Sequence, residues 1–321
     1  MAQRKRTDDA YLVALGTMTF GGQTSEKDAD RMLGMFLDEG YSWVDTAFMY
    51  TDGKSEQILG RLLKGARRDK VFLATKAYPD KLGPGKPPGL TPASVREQLE
   101  TSLKRLKMDG VDLFYLHAPD NKTPLEVTLA ECAKLRGEGK FVELGLSNYA
   151  SWQVAEIVFL CRMNGWREPL VYQGMYNAIT RDIERECIVA CHHFGVDFIA
   201  YNPLAGGMLT GKHEGLATVP TSGRFKSDLY RNRFWKPEYF EAVEQLDEAC
   251  SKRDLTPTEV ALRWVKHHSM SDGVLLGASK VDHLRENLAA CCKGKLPGPI
   301  VKAVNKAWET TRPACQRYFR D

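Results

Sequence analysis

Trp43-Val44-Asp45-Thr46-Ala47-Phe48-Met49-Tyr50 begins as a buried strand and ends in an irregular segment, so it delivers a carboxylate, Asp45, and a phenol, Tyr50, to one place. A second apolar run, Val71 to Thr75, ends on Lys76, and a third, Val111 to Leu116, ends on His117. Three short strands thus each end on an ionisable residue. In a closed parallel barrel all strand C-termini meet at one face, and sites are built there. Asp45, Tyr50, Lys76 and His117 are therefore expected to converge.

Around these runs, strands and helices alternate. Leu12–Gly16 reads as the first strand, and Ser25 to Glu39 as a helix with Met32, Leu33, Phe36 and Leu37 on one face, stopped by Gly40. Ser55 to Leu63 is the next helix, and Pro79 to Gly89 is a loop rich in Pro, Gly and Lys. Thr-Pro pairs at Thr91, Thr123 and Thr256 open helices, because Thr caps well and Pro suits the first helical position. Further strands are read at Val142–Leu146, Leu170–Gln173, Val196–Tyr201 and Val274–Gly277. Helices are read at Ser151–Met163, Asp182–Phe194 and Pro237–Lys252, and two more finish the chain. Apolar runs too short for helices, repeated eight times between helices, predict a single-domain α/β fold, a (β/α)8 TIM barrel. A doubly wound sheet is the structural alternative.

The chain has 321 residues, 43% of them hydrophobic, which is enough for a large core. A net charge of +4 is too mild to argue for a nucleic-acid partner. Residues 1–10, with the basic Arg4-Lys5-Arg6, are expected to be a flexible, solvated tail. Eight cysteines include no Cys-x-x-Cys pair and read as reduced, buried thiols. Cys187, Cys191 and His192 lie at helical spacing on a core stretch, so no metal site is expected. No run approaches a membrane span or a signal peptide, and a cytoplasmic protein is expected.

Several motifs nearly fit. No Gly-x-Gly-x-x-Gly follows a strand, which argues against a Rossmann site. Gly206 and Gly211-Lys212 have P-loop spacing, but His213 stands where the magnesium-holding hydroxyl belongs. Tyr50 and Lys54 have Tyr-x-x-x-Lys spacing, yet Lys54 more simply begins a surface helix. The chemistry that fits is carbonyl reduction. A carbonyl that accepts a hydride becomes an alkoxide and needs a proton, which a phenol can give. An unperturbed Tyr has a pKa near ~10. A cation about 4 Å away, at an effective dielectric of about 20, is worth about 4 kcal/mol, or roughly three pKa units. Lys76 is therefore expected to lower the Tyr50 pKa, less so if Asp45 shares it. Asp45 would hold the ammonium, and His117 would orient the carbonyl oxygen. Any one of these residues taken alone could equally be satisfying a loop.

With these residues in place, the chain resembles the aldo-keto reductases. The resemblance is carried by Val44-Asp45-Thr46-Ala47 with Tyr50, Lys76, Leu116-His117, Gly145-Leu146-Ser147-Asn148-Tyr149, Tyr172-Gln173, Tyr201 to Gly207 and Gly277-Ala278-Ser279. Within the family it is similar to the aflatoxin-aldehyde and succinic-semialdehyde reductase branch, through His117-Ala118-Pro119-Asp120, Tyr230 to Trp235 and Tyr318-Phe319-Arg320. The resemblance implies an NADPH/NADP+-dependent reductase of small aldehydes, with Tyr50 as proton donor and Asp45, Lys76 and His117 in the roles above. It implies that Ser147, Asn148 and Gln173, with Asp45 nearby, hold the nicotinamide carboxamide and that Tyr201 stacks on the ring. Asn202, Pro203, Leu204, Ala205, Gly206 and Gly207, on to Lys212, would wrap the pyrophosphate. Arg224 would cover the adenine, and Ser279, Lys280, His283, Glu286 and Asn287 would bind the adenosine and its 2′-phosphate. His283 is a departure, since the family run has Gln there; either can hydrogen-bond. Tyr230, Arg233, Arg320 and His117 are the implied substrate contacts, and paired arginines favour a carboxylated aldehyde. A homodimer is implied by the branch.

Two other classes stay open. One is a nucleotide-binding regulatory subunit of the potassium-channel β type, in which Asn takes the place of His117. The other is a metal-dependent barrel hydrolase, which needs His and Asp clusters at strand ends where this chain has single polar residues.

Overall fold

Each apolar run pairs in parallel with the next, and the last returns to the first. In a computed structural model describing residues 11–79, 88–213, 215–221 and 223–320, the strands are β1 (Leu12–Gly16), β2 (Trp43–Asp45), β3 (Phe72–Ala77), β4 (Val111–Leu116), β5 (Phe141–Ser147), β6 (Val171–Met175), β7 (Asp197–Tyr201) and β8 (Gly273–Gly277). They close in sequence order into one barrel, β8 pairing β1, with helices in the connections. The sequence-based barrel is therefore the fold, and the doubly wound alternative is not. The expectation for residues 1–10, and most of the loop read at Pro79 to Gly89, lie outside the described residues.

Packing follows from the two faces of each strand. Inward-pointing Trp43, Phe72, Leu113, Tyr115, Val171 and Ile199 fill the barrel floor. Gly145, a neighbour of Tyr115 in register, makes room for that ring: a Cβ there would lie 2.5 Å from it. Outward residues pack against helices such as Glu26–Asp38, whose Met32, Leu33 and Phe36 are buried as the periodicity predicts. Thr91 and Thr256 cap their helices as read, each side chain accepting from a backbone N–H, and Ser25 does the same for its helix.

Some elements differ from the sequence reading, each for a local reason. Thr123 does not cap: its hydroxyl donates to Asp120 Oδ2 at 2.7 Å, and the helix Leu125–Gly137 starts after Pro124. The stretch Asp182–Phe194 is two pieces, a 3-10 turn at Asp182–Arg185 and a helix at Cys187–His193. Between them Glu186 leaves helical geometry, and its carboxylate accepts from Tyr318 Oη at 2.6 Å. The long connection after β7 contains 3-10 turns and an unread helix, Asp228–Phe234. β3 continues through Lys76 to Ala77, and a short helix, Ala66–Asp69, precedes it.

The segment after Tyr50 is the least regular near the site. Thr51, Asp52 and Gly53 all have positive φ, at 49°, 55° and 83°, before the helix Lys54–Leu62 begins. The side chain of Arg105, from the helix Pro92–Leu106, runs beneath this turn. It donates to Phe48 O at 2.8 Å and to the buried Glu56 at 3.0 Å. A Cβ on Gly53 would lie 2.3 Å from Arg105 Cζ. Gly53→Ala therefore combines an unfavourable φ with a clash against a pinned guanidinium. It should destabilise the protein by about 1–3 kcal/mol in urea titrations; an unchanged midpoint would contradict this account of the turn.

Candidate active site

The strand ends bring the four expected residues together. Asp45 closes β2, Lys76 lies near the end of β3, His117 follows β4, and Tyr50 reaches in from the turn after β2. Asp45 and Lys76 are fully buried. Lys76 Nζ donates to Asp45 Oδ1 and, at 2.7 Å, to Thr46 O. Gln173 Nε2, from β6 across the barrel, donates to Asp45 Oδ2 at 3.0 Å. Lys76 Nζ stands 5.0 Å from the Tyr50 ring centroid, and the Tyr50 and His117 rings meet edge-on at 5.9 Å.

The electrostatics of Tyr50 differ from the sequence-based expectation. Burial, and next the charge of Asp45, push its pKa well above the ordinary tyrosine value. Lys76 is engaged by Asp45 and Thr46, so its charge is largely neutralised before it reaches the phenol. Tyr50 is therefore a neutral, proton-bearing group. Burial pushes Asp45 upward and Lys76 downward, each opposed by its partner's charge. His117 is held well below the ordinary histidine range by burial, and further by the positive charges of Lys76 and Arg320. Its imidazole is neutral, and its Nδ1 is buried with no partner among the described residues.

These side chains open into a cavity of about 520 Å³. Its lining includes Tyr50, His117, Ser147, Asn148, Gln173, Tyr201, Asn202, Pro203, Leu204, Gly206, Gly207, Lys212, Arg224, Tyr230, Arg233, Ser279, His283, Glu286, Asn287 and Arg320. Most of the expected cofactor and substrate residues are thus on one surface. Asp45 and Lys76 sit behind it, Ala205 is buried beneath the glycine run, and Lys280 is exposed at the N-cap of the helix Val281–Cys292. Ser147, Asn148 and Tyr201 bond one another: Asn148 Nδ2 donates to Ser147 Oγ at 2.8 Å, and Tyr201 Oη donates to Asn148 Oδ1 at 2.7 Å. The opposite wall, including Met18, Thr19, Gln23 and Leu275, was not singled out from sequence. Neither was Tyr78, whose ring lies edge-on to His117 at 5.4 Å.

The donor set suits an anionic dinucleotide. Asn202, Ala205, Gly206 and Gly207 have φ of 56°, 49°, 69° and 106°, which folds the main chain tightly around the cavity wall. Asn202 Nδ2 is buried without a partner among the described residues. Lys212 and Arg224 line the same wall, and neither has a carboxylate partner among the described residues. Arg224 bonds Tyr230 Oη and lies 5.3 Å from that ring's centroid. Unpaired cations beside an unsatisfied amide form an anion site. No group of three metal-ligating side chains exists among the described residues. His192 bonds Asp272 at 2.9 Å, while Cys187 and Cys191 are buried thiols. No helix of the described residues is long and apolar enough to cross a membrane.

Comparison with known proteins agrees with this geometry. The model of the aldo/keto reductase family matches residues 12–309. The chain is 50% identical to aflatoxin B1 aldehyde reductase member 2 of Homo sapiens, covering 95% of this chain and 89% of that one. It is 49% identical to the Mus musculus protein of the same name, covering 95% and 87%. It is 47% identical to aflatoxin B1 aldehyde reductase member 4 of Homo sapiens, covering 95% and 96%. The chain belongs to the aldo/keto reductase family. It is accordingly an oxidoreductase, of a family that uses nicotinamide dinucleotides.

The depressed pKa of His117 has a consequence for stability. The unfolded histidine takes up a proton as pH falls through about 6.5, while the folded one does not until well below that value. The unfolded state then binds more protons, so stability falls with pH, by up to about 1.4 kcal/mol per unit. His117→Asn should flatten the acid-side slope of stability between about pH 6.5 and 5; an unchanged slope would mean that folded His117 titrates normally.

Proposed function

We propose that this protein reduces aldehydes to alcohols with NADPH, and that Tyr50 is the proton donor. The observation that supports this most is the placement of a neutral, half-buried phenol at a cavity beside a fully buried Asp45–Lys76 pair and a neutral imidazole. NADPH, held along the cavity wall that includes Ser147, Asn148, Gln173 and Tyr201, would supply the hydride that the carbonyl carbon accepts. Tyr50 gives its phenolic proton to the carbonyl oxygen, so its elevated pKa suits a donor that must arrive protonated. Once it has given that proton, the phenolate faces Lys76 at 5.0 Å from the ring centroid, whose positive charge, reduced by Asp45, offsets part of the new negative charge, and the charge of Arg224 acts in the same direction. Asp45 holds Lys76 in place for this. His117 keeps its single proton on Nε2, because a buried N–H at the unpartnered Nδ1 would be the costlier tautomer. From Nε2 it donates to the substrate oxygen and orients it.

The preference for NADPH over NADH is supported by the cationic wall, Lys212 and Arg224, and by the end of the cavity lined by Ser279, His283 and Asn287. Carboxylated aldehydes such as succinic semialdehyde are the expected substrates, with dialdehydes also accepted. Arg233 is only 6% exposed, its Nε is buried without a partner, and it has no carboxylate partner among the described residues. A buried guanidinium left unpaired is costly, and a substrate carboxylate supplies the missing partner. An aldehyde substrate is supported by the relatives' names, which describe aflatoxin B1 aldehyde reductases. A homodimer is part of the same reading, supported by Trp152, Phe159 and Met163, which are exposed along one helix.

Two outcomes follow. Tyr50→Phe should lower kcat for succinic semialdehyde by about a hundredfold or more while nucleotide fluorescence quenching persists. A protein that binds NADPH but reduces no aldehyde in a broad panel would instead be a nucleotide-binding subunit. Arg233→Ala should raise KM for a carboxylated aldehyde by about tenfold or more, with little change for a neutral one; equal effects on both would remove the carboxylate preference.

A further inference from the structure

Arg320 lies beyond the last regular helix, and a side chain outside regular structure needs fixed anchors to serve as a binding group. Two are present. Its backbone N–H donates to Asn148 O at 3.0 Å, which holds this segment against the loop after β5. Its guanidinium donates to Tyr78 Oη at 2.5 Å and lies 5.7 Å from that ring's centroid. Among the described residues the guanidinium has no carboxylate partner and makes no other hydrogen bond, so most of its five N–H donors remain for a ligand.

Tyr78 is itself held rigidly. Its backbone N–H donates to Gln98 Oε1 at 2.9 Å, and Gln98 Nε2 donates back to Tyr78 O at 3.0 Å. Gln98 is fully buried on the helix Pro92–Leu106 and also donates to Ser94 Oγ at 3.2 Å. A buried amide that uses both ends on one residue's main chain fixes that residue in two directions. The phenol projects from this fixed main chain, with the His117 ring edge-on at 5.4 Å and the Arg320 guanidinium bonded to its Oη. Tyr78, His117, Tyr50 and Arg320 all line the same cavity.

We propose that Tyr78 is a specificity-determining positioning residue: it fixes the Arg320 guanidinium beside His117, so that the cavity selects aldehydes carrying a carboxylate a short chain away from the carbonyl. The role is distinct from proton transfer. It acts on which aldehyde binds, and it acts through Arg320. The inference rests on the carboxylate reading given above and adds to it the residue that places the second arginine.

The test uses the full chain with NADPH. Steady-state kinetics compare a four-carbon aldehyde bearing a terminal carboxylate with its methyl ester. The proteins are wild type, Tyr78→Phe, Arg320→Met and the double variant. Removing one hydrogen bond to a charged group should lower the acid-over-ester ratio of kcat/KM about fivefold in Tyr78→Phe, chiefly through KM, and about tenfold or more in Arg320→Met. The double variant should be no worse than Arg320→Met, because the phenol acts through the guanidinium. Inhibition of the ester reaction by a simple dicarboxylate should weaken in the same order, which gives the contrast even where a variant turns over slowly. If Tyr78→Phe affects acid and ester equally, or its effect adds in full to that of Arg320→Met, the inference is overturned while the carboxylate reading stands. If Arg320→Met and Arg233→Ala both leave the ratio unchanged, the carboxylate reading itself fails.

Discussion

The contact on which the site depends is the buried pair of Asp45 and Lys76. Taking a carboxylate and an ammonium out of water costs several kcal/mol each, and either alone would be neutralised or expelled. Together they are accommodated, because Thr46 O accepts a second lysine proton and Gln173 donates to the free carboxylate oxygen. Asp45 is on β2, Lys76 on β3 and Gln173 on β6, so this network spans the barrel mouth. It can exist only because a closed parallel barrel delivers those strand ends to one rim. The same pair sets the state of Tyr50. A lysine committed to an aspartate cannot strongly acidify a neighbouring phenol, and the phenol keeps its proton.

Around this pair, positioning comes from charged side chains used as struts. Arg105 runs under the turn that follows Tyr50, fixed to Phe48 O and Glu56, and Glu56 also accepts from Thr75 Oγ1 at 2.7 Å on β3. The turn's three consecutive positive-φ residues are held by this arrangement rather than by local preference. A regular helix after β2 would carry Tyr50 elsewhere. On the far side of the cavity, Arg224, Arg233 and Arg320 have no carboxylate partner among the described residues, whereas arginines such as Arg61 and Arg162 on the outer surface are paired. Unpaired guanidiniums gathered at one cavity and paired ones on the surface are what an anion-binding site requires.

Much of this could be read from the chain. The strands were legible because short apolar runs alternate with helical periodicity, and the rim residues because Asp45, Lys76 and His117 interrupt or end those runs. The helix Asp228–Phe234 was not, because it is two turns long and sits in a stretch rich in Gly, Ser and Arg. Thr123 was misread because a capping residue and a loop-binding residue look alike until Asp120 is seen beside it. Tyr78 was missed because a lone aromatic after a strand carries no signal; its meaning comes from Gln98 and from Arg320, 242 residues away. The direction of the Tyr50 shift was likewise hidden, since it depends on whether Lys76 turns to the phenol or to the carboxylate.

The most direct test of the account is a single-turnover measurement of bound NADPH oxidation by a carboxylated aldehyde, wild type against Asp45→Asn. If Asp45 fixes Lys76 where it supports proton donation by Tyr50, the variant should bind NADPH with similar affinity and lose about a hundredfold or more of the turnover rate. A variant that oxidises NADPH at close to the wild-type rate would show that the buried pair supports the barrel and not the chemistry.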